Sequence, residues 1–529
     1  MSFPERLDLL LGAIAPRLAA RRLAARVRMR VHRDALQRDI SASTGGRLAG
    51  RANAKLTGPK ANTAKDLVKS RAQARDLRRT NPYASGTINT IVANLVGKGI
   101  FPQARVRRPK LRDFDVDFNA RAETAWDQWA ERCDPARKRS WYSQQRLIMR
   151  EKLVAGECLV VLSTVDDGRP IPFATEIVPS ERLAMKDEAK TKGGGKIVQG
   201  VEFDAAQRIV GYWIYPNHPY EGTYASSDAK LVPADRVIHF FEEEESGQVR
   251  GLTKFMTVAG AFEGFMQWLD WLLAKERVAS AYALAFVEQG GLLQTPVSSG
   301  DADDEEDDDG NPIDLHEGGM TLHLRPGEDV KGISSGVNAG AVDQLAQVFL
   351  RVIARGLDVA YETVSRDLSN VTYLSARQGE NQDRRHWEPQ QEDLNSDVNS
   401  IVWGQVIRAA WLDGALGMRG EFDPRYLAHE WIRPGWDWID PSKDLTGAIS
   451  AIRAGLRSPL AEIVARGGDA ESVLDDIAQF KAMADERGLD WLTCLQPEKP
   501  AAAPAPAEGN DNGEAKDDSA QGAGKDAAA

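Results

Sequence analysis

Residues 342–412 constrain the fold of this chain most, because two helical patterns enclose a polar segment there. The first pattern ends at Gly356 and places five apolar side chains on one helix face: Leu345, Val348, Phe349, Val352 and Ile353. The polar segment Asp367–Ser375 has no such period. The second pattern carries charge on all sides up to Pro389 and an apolar stripe after it. Since a helix without an apolar face is rarely stable alone, we expect this part to pack against neighbours and hold the polar segment between two rigid elements.

The composition predicts several globular domains, with 27% charged and 42% hydrophobic residues in a chain of 529. Cys133, Cys158 and Cys494 are far apart and form no C-x-x-C pair, which argues against a disulfide framework or a zinc site and favours a reducing cytoplasm. No run of about 18 uncharged apolar residues occurs, so we expect no membrane span. The short apolar run before Arg17 lacks the preceding basic segment of a secretory signal.

The charge is unevenly placed along the chain. Residues 1–79 hold 19 Lys and Arg against 6 Asp and Glu, a net of +13, so the remainder carries −24 of the total of −11. We expect residues 1–64 to form a basic N-terminal arm that binds a partner. An amphipathic basic helix there could contact a membrane, a nucleic acid or an acidic protein, and a solvated tail is an equally weighted alternative.

Helical and strand patterns alternate between residues 65 and 250. Asn81-Pro82 predicts a helix start, and Gly97 and Gly99 predict its end. Four later segments are rich in β-branched and aromatic residues and are predicted strands: Cys158–Leu162, Val201–Phe203, Ile209–Tyr215 and Arg236–Phe241. A long helical pattern then runs from Gly251 to about Ala285, and we expect it to pack on other long helices or other subunits.

The sequence contains no motif that predicts catalysis or a cofactor. It has no phosphate-binding loop, no H-E-x-x-H and no G-x-S-x-G, so we assign no catalytic residue, cofactor or metal. The acidic run 301–309 could suggest a calcium site, but placing Gly310 sixth in a calcium-binding loop puts His316 at the closing position, where a glutamate is required. A solvated loop is the preferred interpretation. The alternative function, a nuclease-like enzyme of a packaging complex, would need metal-spaced carboxylates.

An ordered set of short motifs resembles the lambda-type portal proteins of tailed bacteriophages. Together they span about residues 65–440: Asn81-Pro-Tyr-Ala84, Asn94–Ile100, Gly156-Glu157, Tyr212-Trp213, His218-Pro219, Pro233–His239, Gly247–Gly251, Leu324–Glu328, Ile353–Glu362 and Ser365–Arg377. Each motif is weak alone, and their order is specific. The acidic run and the glutamates before Gly247 depart from the family pattern.

The resemblance implies a multidomain α+β portal fold that forms a ring of about twelve copies, with a mixed α/β wing, long stem helices, a small β-containing clip and a helical crown. The implied segments are a wing at 65–250, a first stem helix at 251–289, a clip at 290–340, a second stem helix at 341–366, a tunnel loop at 367–376, a long helix returning to the wing at 377–444, a crown at 445–496 and a disordered tail at 497–529.

The resemblance also implies a function, a set of partners and site residues. The ring would sit at one capsid vertex as the channel for DNA packaging and ejection and the platform for head–tail joining. Double-stranded DNA would pass without sequence specificity, and the other partners would be the terminase large subunit, major capsid and scaffolding proteins and a head-completion protein. The protein would assemble in the host cytoplasm and reside in the virion, with no membrane partner. The implied tunnel-loop residues are Asp367, Leu368, Ser369, Asn370, Thr372, Tyr373 and Ser375, and the implied clip contacts with the terminase are Asp301, Asp303, Asp304, Glu305, Arg325 and Glu328.

The residues of the implied loop fit a sliding contact with DNA. Most of them are neutral, whereas a ring of arginines would hold phosphates at several points. The acidic body of the protein is consistent with weak DNA contact.

Overall fold

The structure is a computed structural model that describes residues 59–108, 113–191, 193–221, 228–281, 284–287, 314–316, 319–324, 339–369, 373–418, 420–436 and 440–489. Two compact units divide the chain, one through Pro434 and one from Gly435. Most of the predicted arm, the acidic run 301–309 and the predicted C-terminal tail lie outside the described residues.

Among the described residues the first unit begins with four helices, and one short strand lies between the second and the third. Their bounds are α1 Pro59–Thr80, α2 Pro82–Leu95, β1 Phe101–Ala104, α3 Val116–Ala130 and α4 Trp141–Ala155. Asn81 caps α2 as predicted, since its side chain accepts a hydrogen bond of 3.0 Å from the Ala84 amide. The arm was predicted to extend to residue 64, but α1 already begins at Pro59, a residue that suits the first helical turn.

Two antiparallel sheets follow. Their strands are β2 Glu157–Thr164, β3 Phe173–Val178, β4 Lys196–Val198, β5 Val201–Phe203, β6 Ile209–Ile214, β7 Lys230–Pro233 and β8 Val237–Phe241. The first sheet has the order β3-β2-β8, with Leu159 opposite Val178 on one side and His239 on the other. The second has the order β4-β5-β6-β7. The predicted strands are confirmed, and one apolar cluster around Leu159, Val201 and Tyr212 joins the two sheets.

Helix α5, Phe255–Ala281, is shorter than predicted. The predicted helical pattern extends to about Ala285, but Leu284–Val287 is strand β9. It pairs in parallel with β11, Gly319–Leu324, which also pairs with β10, Asp314–His316. A short apolar run is compatible with a helix or a strand, and here pairing with the distant strand β11 favours the strand. Helix α6, Ala339–Gly356, then ends at the predicted glycine.

The chain after α6 forms a hairpin of helices. A short helix α7, Tyr361–Ser365, is followed by α8, Tyr373–Leu394, by one π-helical turn, Asn395–Asn399, and by α9, Ser400–Asp413. The predicted loop end is wrong, because Tyr373 and Ser375 belong to α8. The charged half of α8 packs as expected, and Asp383 and Trp387 are buried. Strand β12, His429–Ile432, pairs with β1 and closes the unit.

Tryptophans from distant segments fill the core between α3, α4 and α9. The ring centroid of Trp126 lies 5.0 Å from that of Trp129 and 5.5 Å from that of Trp403. Trp126, Trp141 and Trp403 are almost completely buried. Burying such a ring stabilises the fold by about 3 kcal/mol. The cluster therefore anchors α9, which carries Trp403, in the first unit.

The part of the second unit that the structure describes forms three helices, α10 Pro441–Arg453, α11 Pro459–Ala465 and α12 Ala470–Glu486. Each begins with a side-chain cap, from Asp440, Ser458 and Asp469 respectively. Residues 445–486 of the predicted helical crown are therefore mostly helical. The apolar side chains of α10 and α12 remain substantially exposed: Leu445, Ile449, Leu474, Ile477, Phe480 and Met483.

Candidate functional site

The candidate site is the α7–α8 loop, residues 366–372, of which the structure describes Arg366–Ser369. Arg366 ends α7 in the left-handed conformation, with φ 53°, an unusual geometry for a residue other than glycine. Its guanidinium donates a hydrogen bond of 3.0 Å to the Thr90 hydroxyl on α2. The cation at the first position of the loop is therefore held against a neighbouring helix. The neutral character predicted for the loop does not extend to this position.

The first turn of the loop is organised by Asp367. Its carboxylate accepts hydrogen bonds from the Ser369 amide at 2.9 Å and the Ser369 hydroxyl at 2.6 Å. These bonds lower the pKa of Asp367 from its usual value, because they stabilise the charged form. Leu368 between them is 67% exposed. The turn thus satisfies its own polar groups and presents an apolar side chain to its surroundings.

The base of the loop is fixed by a buried carboxylate on α8. Asp383 accepts hydrogen bonds from the Ala360 amide at 2.7 Å and from the Thr363 hydroxyl at 2.6 Å. Burial raises the pKa of Asp383 despite these two bonds. Gly379, one turn earlier on α8, leaves room for Ala360, which would lie 3.4 Å from an added Cβ. The start of α7 is therefore tied to α8, and both ends of the loop leave from one packed hairpin.

The remaining predicted loop residues are only partly placed. Asn370 and Thr372 lie outside the described residues, and Tyr373 and Ser375 lie in the first turns of α8. All six predicted clip contacts, Asp301, Asp303, Asp304, Glu305, Arg325 and Glu328, also lie outside them. Sequence reasoning missed Arg366 and Asp383. Asp383 could have been suspected, since it precedes buried Trp387 by one helical turn and so lies on the same helix face.

Helices α5 and α6, which precede this hairpin in the chain, pack against each other. The Phe349 ring lies 5.6 Å from Phe265 and 6.0 Å from Trp268, and Thr257 donates a hydrogen bond to the Gly356 carbonyl at 3.3 Å. Each helix also keeps apolar side chains exposed on another face, including Val348, Val352 and Leu345 of α6 and Trp271 and Leu273 of α5. The pair therefore buries one apolar stripe and leaves another uncovered.

A buried charge cluster joins three of the sequence motifs. The Glu157 carboxylate lies 2.6 Å from the Arg250 guanidinium, 2.7 Å from that of Arg71 and 3.0 Å from His239 Nε2, and it accepts a hydrogen bond of 2.8 Å from the Gly251 amide. Burial by itself would raise the pKa of Glu157, but the two guanidinium groups and His239 outweigh burial and hold its pKa well below the usual range.

The same cluster satisfies backbone carbonyl groups from several elements. Arg250 donates to the carbonyls of Gln199 and Ser180, at 2.8 and 3.1 Å, and Arg71 donates to those of Ala155 and Gly251, at 2.8 and 3.3 Å. A Cβ on Gly251 would lie 2.1 Å from the Gly156 carbonyl oxygen, so this approach requires glycine. The cluster ties α1, both sheets and the start of α5 into one frame.

Two kinds of reactive group can be assessed among the described residues, metal-binding clusters and cysteine thiols. Within the described ranges, no group of three or more His, Cys, Asp or Glu side chains could hold a metal ion. Cys133 and Cys158 are free, buried thiols whose pKa values are raised by burial, which disfavours the reactive thiolate. No helix among the described residues has the length and apolar character needed to cross a membrane.

Comparisons with known proteins agree on one family. A family model described as phage portal protein, lambda family, matches residues 45–391. The chain is 26% identical over 435 residues to a probable portal protein of Halomonas phage phiHAP-1, with 79% of this chain and 82% of that protein covered. It is 25% identical over 455 residues to portal protein B of Escherichia phage lambda, with 77% and 82% covered. A chain from the neck of an empty gene transfer agent particle is 14% identical, with 75% of this chain and 93% of that chain covered and a TM-score of 0.38.

Proposed function

This chain belongs to the lambda family of phage portal proteins, and we propose that about twelve copies form a closed ring at one capsid vertex. It is a portal protein of a tailed phage. In the proposed ring the channel admits DNA during packaging and releases it during ejection. The observation that carries the ring is the uncovered apolar face of the α5–α6 pair.

The exposed stripe on α6 supports an interface between copies. Val348 and Val352 are 51% and 56% exposed, although they lie one turn apart on a well-packed helix. Trp271 on α5 is 71% exposed. These side chains are already partly buried, so covering the exposed part of each would contribute about 1–2 kcal/mol. In a head-to-tail contact, the exposed apolar side chains of α6 in one copy would face those of α5 in the next copy. In a closed ring every copy would have both surfaces covered in this way.

The α7–α8 loop is the proposed constriction of the channel. Its base is fixed by Asp383, and in the proposed ring one such loop per copy would face the axis. Leu368 and Ser369 offer uncharged groups to DNA, while the Asp367 carboxylate is engaged by Ser369. A duplex in contact with such a surface gains few phosphate contacts and slides. Arg366, bound to Thr90 outside the turn, would add attraction at the loop base.

The proposed partners follow from a portal at the capsid vertex. Strands β9, β10 and β11 belong to the proposed clip, which would meet the terminase large subunit during packaging and a head-completion protein afterwards. The proposed wing and arm would face the capsid and scaffolding proteins. Assembly would take place in the host cytoplasm and the product would reside in the virion. We assign no catalytic step to this chain, and the purified ring is expected to hydrolyse neither ATP nor DNA.

Electron microscopy of the purified full chain tests the ring directly. We expect closed rings for the parent protein and a shift to small species when Val348→Glu and Val352→Glu are combined, because a charge in each interface costs several kcal/mol. Val116→Glu on α3 is the matched control, since Val116 is also exposed. Monomers of the parent at all salt and protein concentrations would contradict the proposal, as would rings in the double variant.

A further inference from the structure

A groove runs along helix α1 on the outside of the first unit. It is lined by Val68, Ala72 and Arg79 of α1 and by Met185, His218 and Tyr220 from across the groove. We call this surface the α1 groove. Its volume of about 230 Å³ exceeds the ~150 Å³ of a cavity that holds benzene. Val68 and Met185 are each more than 40% exposed and Tyr220 is 71% exposed, so none of the residues that the structure describes fully covers its apolar walls.

The charges beneath and beside the groove differ in how well they are compensated. Arg71 and Arg250 at its floor bind Glu157, and Arg75 is bound by both Glu151 and Glu181. Arg79, at the C-terminal end of α1, is 75% exposed. Among the described residues, the carboxylate that forms an ion pair with Arg79 is Asp76, at a distance of 3.9 Å. The groove therefore combines an apolar wall with a weakly compensated cation at one end.

The first residues of the same chain have the pattern of a ligand for such a groove. Ser2 and Glu5 have the spacing of a helix capping box, and Pro4 suits a first helical turn. At helical spacing one face of the segment 3–15 would collect five of its six large apolar residues: Phe3, Leu7, Leu10, Leu11 and Ile14. Leu9 would lie on the opposite face. Its two acidic residues, Glu5 and Asp8, lie in its N-terminal half, and Pro16 follows its end. The segment is thus an amphipathic helix pattern whose first half carries two carboxylates and one cation, Arg6, a net charge of −1.

The lengths of groove and segment match. From Val68 to Arg79 a helix rises about 16 Å, and residues 3–15 as a helix would rise about 18 Å. An antiparallel orientation would place Glu5 and Asp8 near Arg79 and Ile14 near Val68. The chain would then leave the groove at the end of α1 that contains Pro59, which it must rejoin. The connecting residues 16–58 reach about 36 Å as a random coil, more than this return needs.

We propose that residues 3–15 bind in the α1 groove of their own chain, with the apolar face on Val68 and Met185 and the acidic residues beside Arg79. A tethered segment has an effective concentration in the millimolar range, which favours the groove of the same chain over that of a neighbour. We call residues 3–15 the latch. Bound in the groove, the latch would hold the start of the arm against α1, with the basic residues from Arg17 onward following it. Its release would let the arm reach further from the first unit.

Cysteine cross-linking in the full chain tests the latch. In a Cys494→Ser background, Ala13→Cys and Ala72→Cys are combined and treated with a short bismaleimide, while Cys133 and Cys158 stay buried. The control pair is Ala13→Cys with Val116→Cys, a similarly exposed position on α3. We expect a cross-link within one chain to form at least about tenfold faster in the groove pair, because the tether acts on both pairs and binding in the groove holds together the thiols of the groove pair alone. Cross-links between chains, or equal rates in the two pairs, would overturn the proposal.

A charge exchange tests the proposed orientation. Arg79→Glu should slow the cross-link about threefold, the usual size of an exposed ion-pair effect, and adding Asp8→Arg should restore the rate. Arg355→Glu, an equal change at an exposed position on α6, should leave the rate unchanged. An effect of Arg79→Glu that Asp8→Arg does not reverse would contradict the antiparallel placement.

Discussion

The Thr363 hydroxyl donates a hydrogen bond of 2.6 Å to the Asp383 carboxylate and so ties α7 to α8 directly below the α7–α8 loop. The same carboxylate accepts the Ala360 amide. These two hydrogen bonds to the buried Asp383 carboxylate thus hold α7, the helix from which the loop starts, against α8. The point at which the loop leaves α7 is therefore fixed relative to α8.

We predict that Asp383→Ala loosens the loop base without unfolding the protein. The Ala360 amide would lose its buried partner, which costs about 1–3 kcal/mol locally. Hydrogen exchange of amides 360–369 should accelerate at least about fivefold, and the change should be small elsewhere. Glu388→Ala, an exposed position on the same helix, is the control. Unchanged exchange in Asp383→Ala would show that the packing of Gly379 against Ala360 suffices.

The Glu157 cluster predicts a large and specific loss of stability. Glu157→Gln leaves Arg71 and Arg250 buried without a counter-charge, so the free energy of unfolding should fall by about 3–5 kcal/mol. Glu430→Gln removes an exposed pair with Arg105 and should cost less than about 1 kcal/mol. Denaturant unfolding of both variants measures the difference. Equal losses would show that the cluster contributes no more than a surface ion pair.

The same carboxylate predicts a dependence of stability on pH. Because the folded pKa of Glu157 is well below its unfolded value, the unfolded state binds the proton more tightly. Its contribution to stability is therefore complete above the unfolded pKa, about 4.3, and is lost as pH falls from there towards the folded pKa. The stability difference between parent and Glu157→Gln should shrink over this interval in denaturant titrations. A constant difference between pH 6 and pH 3 would contradict this account.

Replacement of the loop should separate assembly from DNA handling. A Gly/Ser linker in place of Leu368–Thr372 leaves α8 intact, and rings and empty heads should form normally because Leu368 is exposed. Full-length DNA retained in heads should fall, as the constriction no longer braces the duplex. Asn370→Arg should instead slow DNA passage in a salt-dependent way by adding one phosphate contact per copy. Failed ring assembly of the linker variant would make the loop structural.

Removal of the arm should leave the ring intact. A chain starting at Pro59 keeps α1 and its Arg71 contacts, so electron microscopy should show normal rings. Incorporation into heads should fall, because the basic arm is the expected contact with a capsid or scaffold partner. Deleting only residues 2–15 is the matched control, since it removes the proposed latch and keeps the basic residues. Normal head incorporation without residues 1–58 would make the arm dispensable.

Local sequence patterns predicted the element types well. Apolar spacing located α6 and its end at Gly356, Asn81-Pro82 located the start of α2, and β-branched runs located β2, β5, β6 and β8. These signals depend on residues close together in the chain, which is why they can be recognised without a structure. The family resemblance depended on the same kind of information, since its motifs are short and ordered along the chain.

Only the tertiary structure decided which distant residues meet. Leu284–Val287 became a strand because β11 offers it a partner, and Asp383 became the anchor of the loop because Ala360 and Thr363 lie beside it. Likewise Glu157, Arg250, Arg71 and His239 stand in four separate segments, and their union requires two glycines that let the backbones approach. The sequence by itself determined periodicity, caps and the distribution of charge, because these follow from local backbone geometry. Long-range pairing depends on which complementary surfaces the folded chain brings together, and no local pattern records that.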